Sequence, residues 1–209
     1  TCDASPCRLV GPQCGCGGGE GCYLSGSARV CRSAGTFAEG EACSGVSSCA
    51  PGLTCINVSE TATPINQCQR FCDSDADCAS ASLCVYTLDD GSGTAVPDAR
   101  VCSRACDPVT QAGCRADTLC TVYTETMSPM RNFTDCVGPA GTGGQGSVCD
   151  GPTDCRAGFA CVGSPGTCLR WCDDPDNLSR RNCGLGEACY RFVSPLTVFG
   201  VEYGVCDAL

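Results

Sequence analysis

Histidine and lysine are both missing from this sequence. Without an imidazole, Ser-His-Asp and Cys-His nucleophiles have no base, and the usual His-containing zinc sites lose a ligand. Without an ε-amine, Schiff-base chemistry and Lys–Asn isopeptide cross-links are excluded as well. All 13 basic residues are therefore Arg, against 23 acidic ones. GC-rich codon usage accounts for that, Ala, Gly and Pro being plentiful too; selection for a protease- or crosslink-resistant surface is the other explanation. A net charge of −10 argues against nucleic acid and anionic membrane surfaces as partners. No apolar run approaches the roughly 18 residues that span a bilayer, so membrane insertion is not expected. No leader segment is recognisable either, and the expectation is that Thr1 begins the mature chain. On that expectation Thr1 precedes Cys2, and the mature terminus is not itself a cysteine open to lipid attachment.

Large apolar side chains are scarce. Leu, Ile, Val and Phe together are under a fifth of the 209 residues, a level that in an ordinary chain signals disorder. Cysteine resolves the conflict, with 26 residues, enough to define a disulfide scaffold. Cross-links stabilise by removing entropy from the unfolded chain, about 3 kcal/mol for a loop near 15 residues. The even count predicts thirteen intramolecular bonds and no spare thiol. Such bonds persist in oxidising compartments, so the expected location is extracellular or at the cell surface.

Self-alignment gives the chain its organisation. "AGTFAEGEAC" (34–43) matches "AGTGGQGSVC" (140–149) without a gap, and each continues Cys-x5-Cys-x5-Cys, as Cys43, Cys49, Cys55 and Cys149, Cys155, Cys161. Cys68 and Cys168 close these two short modules. A second module type opens with the word Arg-x-Cys-Asp: "RFCD" at 70–73, "RACD" at 104–107 and "RWCD" at 170–173. Between its third and fourth cysteines lie β-prone segments broken by turn residues, which predict hairpins. The expected domains are an N-terminal cysteine-rich piece (1–33), a short module (34–69), hairpin modules at 70–103 and 104–137, a second short module (138–169) and a third hairpin module (170–209). In the N-terminal piece the run from Cys16 echoes the short module, and Cys16–Cys31 is the one pairing expected there. The pairing of Cys2, Cys7, Cys14 and Cys22 stays open. The fold class is thus small and disulfide-rich, tandem modules with short β-hairpins, little helix and an elongated architecture.

The pattern Cys-x5-Cys-x2-Gly-apolar-x-Cys…Cys, as in "CSGVSSCAPGLTC" and "CDGPTDCRAGFAC", resembles the cysteine-rich modules of Dickkopf-type and colipase-like secreted proteins. It is similar too to tandem cysteine-rich secreted proteins of GC-rich bacteria that carry "CDSDADC"-type words. Those modules pair first cysteine to third and second to fourth. The resemblance therefore implies Cys43–Cys55 and Cys49–Cys68 in the first short module, and Cys149–Cys161 and Cys155–Cys168 in the second. In the hairpin modules it implies Cys72–Cys84 with Cys78–Cys102, Cys106–Cys120 with Cys114–Cys136, and Cys172–Cys189 with Cys183–Cys206. It implies no enzyme, and no receptor-contact residue can be matched.

The recurrent Arg-x-Cys-Asp word marks a module junction, and a local Arg–Asp pair or an Asx-type turn is its plain structural meaning; ligand recognition is the alternative. Asp73, Asp75 and Asp77 alternate like the start of a calcium loop, and Asp173, Asp174 and Asp176 form a second acidic cluster. Calcium is the one cofactor the sequence admits, and solvated turns are the plainer meaning. Paired carboxylates acting as acid and base need a cleft that small cross-linked modules rarely form, so no enzyme is expected. Asn57, Asn132 and Asn177 stand in sequons that a eukaryotic secretory pathway would glycosylate.

Two functions follow. One is a structural subunit of an extracellular filament, sheath or coat. It would self-associate or join another extracellular protein through the β-prone C-terminal run, where Phe199, Val201 and Tyr203 would offer an edge strand. The same side chains could instead cover their own hairpin. The other function is a monomeric binding or inhibitory module that presents loops on a disulfide scaffold.

Overall fold

The computed structural model describes residues 5–126, 129–175 and 182–209. The chain divides into two units, Thr1–Arg104 and Ala105–Leu209. Almost all regular structure is antiparallel strand; helix is confined to 3-10 turns at Val46–Ser48, Asp75–Asp77 and Pro152–Asp154.

Unit 1 begins with a hairpin, β1 (Glu20–Ser25) and β2 (Ala28–Ser33). A four-stranded sheet follows, made of β3 (Leu53–Asn57), β4 (Asn66–Cys72), β5 (Cys84–Asp89) and β6 (Ala95–Cys102) in the order β3-β4-β6-β5. Unit 2 repeats this plan. Its hairpin is β7 (Leu119–Thr124) and β8 (Asn132–Val137). Its sheet runs β10 (Phe159–Val162), β11 (Gly166–Asp173), β13 (Val201–Ala208), β12 (Glu187–Val198), with the short β9 (Val148–Cys149) on β11. Each sheet is one short module joined to the hairpin module after it, through the β4–β6 and β11–β13 pairings.

Sulfur does what aliphatic side chains usually do. In every hairpin the third and fourth cysteines sit directly opposite each other, as in Cys55↔Cys68, Cys84↔Cys102 and Cys189↔Cys206. None of these facing pairs is bonded together. The third cysteine bonds the first and the fourth bonds the second, so Cys43–Cys55 lies beside Cys49–Cys68, and Cys172–Cys189 beside Cys183–Cys206. The order is the same in Cys72–Cys84 with Cys78–Cys102, Cys106–Cys120 with Cys114–Cys136, and Cys149–Cys161 with Cys155–Cys168. In four modules the cysteines of the two bonds form the buried centre, joined by little more than Leu53 or Phe159. No cysteine among the described residues is free.

The N-terminal piece is a hairpin module, not an echo of the short one. Cys7–Cys22 and Cys16–Cys31 give the one-to-three, two-to-four order, and Cys14 is disulfide-bonded as well. Gln13 accepts from the Cys22 N–H and donates to the Leu9 and Cys22 carbonyls, at 2.8 Å each. Gln111 repeats this in unit 2, accepting from Cys120 N–H at 2.8 Å and donating to the carbonyls of Pro108 and Cys120.

Close approach explains the glycines of the two "AGT" words. A side chain on Gly35 would run into the Ser48 carbonyl, and one on Gly141 into that of Asp154. Four residues after the word, Gly40 and Gly146 have φ of 85° and 81°, the left-handed region that glycine enters without strain.

Two expectations are corrected. Arg70 bonds Glu39 at 2.8 Å, and Asp73 bonds Arg8 at 3.3 Å, so no local Arg–Asp pair forms there. Arg70 is on β4 and Asp73 follows it, and three residues of extended chain turn side chains to opposite sides. Asp107 instead makes an Asx-type turn, accepting from the Val109 N–H at 2.9 Å and the Thr110 hydroxyl at 2.6 Å. The second correction concerns the C-terminal run. β13 is flanked by β11 and β12, so over 203–205 it is no edge, and Tyr203 is buried under Trp171. Phe199 and Val201, at the tip of the β12–β13 hairpin, remain exposed.

Candidate functional site

Three strand pairs of unit 2 surround a groove of about 820 Å³. β7 and β8 bring Val122, Tyr123 and Asn132; β10 brings Ala160 and Val162; β12 brings Phe192 to Leu196. Trp171 of β11 belongs to the lining and to the unit's main core, with Phe192 at 6.1 Å and Tyr203 edge-on at 6.3 Å between ring centroids. The ladder between β12 and β13 breaks between Arg191 and Leu196, and this bulge carries Phe192, Val193, Ser194 and Pro195 to the groove.

The chemistry of the lining is one-sided. Among the described residues none that lines it is charged, in a molecule of net charge −10. Among its polar side chains, the Thr124 hydroxyl bonds Asn132 Oδ1 at 2.8 Å, and Asn132 Nδ2 donates to the Thr197 carbonyl at 3.2 Å. Trp171 is the largest side chain of the lining. The side chain is 3 % exposed, and its indole N–H is buried with no acceptor among the described residues. An unmet buried donor is costly and rare.

Unit 1 has a groove at the equivalent place, about 480 Å³ in volume. Five positions of the short modules line both: Val46 and Pro152, Thr54 and Ala160, Cys55 and Cys161, Ile56 and Val162, Asn57 and Gly163. Leu24 stands after β1's cysteine as Val122 stands after β7's. The rims differ. Unit 1 has Thr87, Leu88, Asp89 and Asp90 on its rim, and unit 2 has Phe192, Val193, Ser194, Pro195 and Leu196. Hydrogen bonds from the Ser92 hydroxyl and backbone hold the Asp90 carboxyl below its ordinary pKa, so it stays ionised well into acid.

The residues singled out in the sequence lie elsewhere, apart from Asn57, Asn132 and the disulfide-bonded Cys55 and Cys161. Asp77 Oδ2 accepts from the N–H groups of Asp73 and Ser74 at 3.0 and 2.9 Å, which holds its pKa down. Asp75 Oδ1 accepts from the Cys84 N–H at 2.8 Å, and Asp173 Oδ1 from Asn182 Nδ2 at 2.9 Å. These carboxylates organise turns. Asp174, at φ 55°, donates its N–H to the Glu202 carbonyl, while Asp176 and Asn177 lie outside the described residues. Asn57 is exposed, with Oδ1 accepting from the Ser59 and Ile65 N–H groups.

Comparison with protein-family models, curated proteins and solved structures finds no match to this chain. Its function is argued from the groove. Sequence reasoning missed the groove because three modules contribute to it, although the single Trp of the chain was a pointer.

Proposed function

We propose that this chain is an extracellular binding protein, in which disulfide-pinned hairpins hold a neutral, aromatic-lined groove open for a ligand. One observation carries the reading: a groove recurs at the same five short-module positions in both units, while the rim residues differ between them. A rigid frame with changeable rims is the arrangement by which scaffolds carry recognition. The disulfide density supports an oxidising, extracellular setting. Sedimentation equilibrium at high protein concentration tests it against assembly. A binding protein stays a single chain, and a concentration-dependent polymer overturns the reading.

Assembly into a filament, sheath or coat is the second reading, favoured by the exposed Phe199 and Val201 at the β12–β13 tip. Under it, Val201→Lys abolishes polymer formation; under the first, the variant leaves the mass unchanged.

A further inference from the structure

We infer that the groove of unit 2 takes an uncharged, largely apolar small molecule that carries a ring. The inference rests on the binding reading above and specifies its ligand class. Size comes first, since 820 Å³ lies within the range of roughly 300–1,000 Å³ typical of small-molecule sites. Charge comes second. The lining offers no ionic partner, so a charged group entering it would lose hydration and gain nothing in return. The acidic rim of the unit 1 groove shows that the same frame can carry carboxylates, and unit 2 has the uncharged Ser194 and Pro195 at those places.

Hydrogen bonding decides between the remaining neutral ligands. A sugar or an extended peptide brings many donors and acceptors, each needing a partner once water is excluded. The Thr124 and Asn132 side chains are already bonded to each other, and Asn132 also to the Thr197 carbonyl. The Trp171 N–H is buried and offers a ligand no surface. An apolar body matches such a lining. Flat rings suit Tyr123 and Phe192, half-buried aromatics of the lining.

The chain's single tryptophan makes the test direct. Nile red, an uncharged ring molecule, is titrated into the intact protein while dye emission and Trp171 emission are followed together. The expected result is one saturable site, with Trp171 emission falling in step. Val193→Asp should weaken binding about tenfold or more by placing a charge in the neutral lining. Val193 is fully exposed, so the change leaves folding intact. Val201→Asp, exposed and outside the lining, should bind as the unaltered protein does. Dye binding that Val193→Asp does not weaken overturns the inference. If Nile red fails but cellohexaose or a capped Ala/Leu hexapeptide shifts Trp171 emission, the ligand class is wrong and the binding reading stands. Silence from all three probes counts against both.

Discussion

Burial pushes the Tyr203 phenol up to about 12, and the negative charges of Asp107 and Asp173 act in the same direction. The folded state therefore keeps this proton where an unfolded chain, titrating near 10, has given it up. The resulting sign is unambiguous: stability is unaffected by this group below pH 10 and falls as pH rises from about 10 toward 12. Denaturant unfolding across that window should show the decline, and Tyr203→Phe should remove its share. Spectrophotometric titration of the native protein should show one tyrosine ionising near 12. A Tyr203 that titrates at 10 would mean that the packing with Trp171 is looser than described.

Single elements show where sequence reasoning succeeds. The β-prone runs after each third cysteine are legible as hairpins, because alternating β-branched and aromatic residues bounded by cysteines and turns have few other folded forms. Strands such as Cys84–Asp89 and Leu119–Thr124 are read that way. The N-terminal hairpin is less legible, since six closely spaced cysteines obscure the frame. The signal is nevertheless present, as "GGGEGCY" (17–23) against "GLGEACY" (184–190). In both, the glutamate accepts from the N–H of the first glycine, Gly17 to Glu20 at 2.9 Å and Gly184 to Glu187 at 2.6 Å. The groove was not legible. It depends on β11 pairing with β13 over three residues, a contact between modules that no cysteine spacing encodes. At this scale Gly141→Ala should cost about 2 kcal/mol or more, because the backbone around the Asp154 carbonyl must move to admit a methyl group. Gly18→Ala, which meets open space, is the control. Thermal unfolding of the two variants checks this, and equal midpoints would contradict the close approach.

For the molecule as a whole, the disulfides carry the stability. The described bonds close loops of 12 to 24 residues, each contributing about 3 kcal/mol by restricting the unfolded chain. The side-chain cores are small by comparison, five fully buried residues in the main cluster of unit 2. Reduction and alkylation should therefore unfold the chain without denaturant. The near-UV dichroism of Trp171 should vanish with it, whereas a reduced protein that kept this signal would show that the apolar clusters suffice alone.

The facing cysteines have a consequence for thiol exchange. In the first short module the sulfurs of Cys43, Cys49 and Cys55 lie within 4.8 Å of one another, and Cys55 faces Cys68 across the hairpin. Reducing Cys43–Cys55 alone would leave a Cys55 thiolate beside the intact Cys49–Cys68 bond, placed to attack it. Attack at the Cys68 sulfur would form Cys55–Cys68 and expel Cys49, clipping the hairpin to itself while both incoming loops come free. A half-reduced module should thus drift to a non-native isomer and not hold its surviving native bond. Limiting reductant followed by rapid alkylation should label Cys43 with Cys49, or with Cys68 where the attack falls on the nearby Cys49 sulfur; labelling of Cys43 with Cys55 would show that the exchange does not occur.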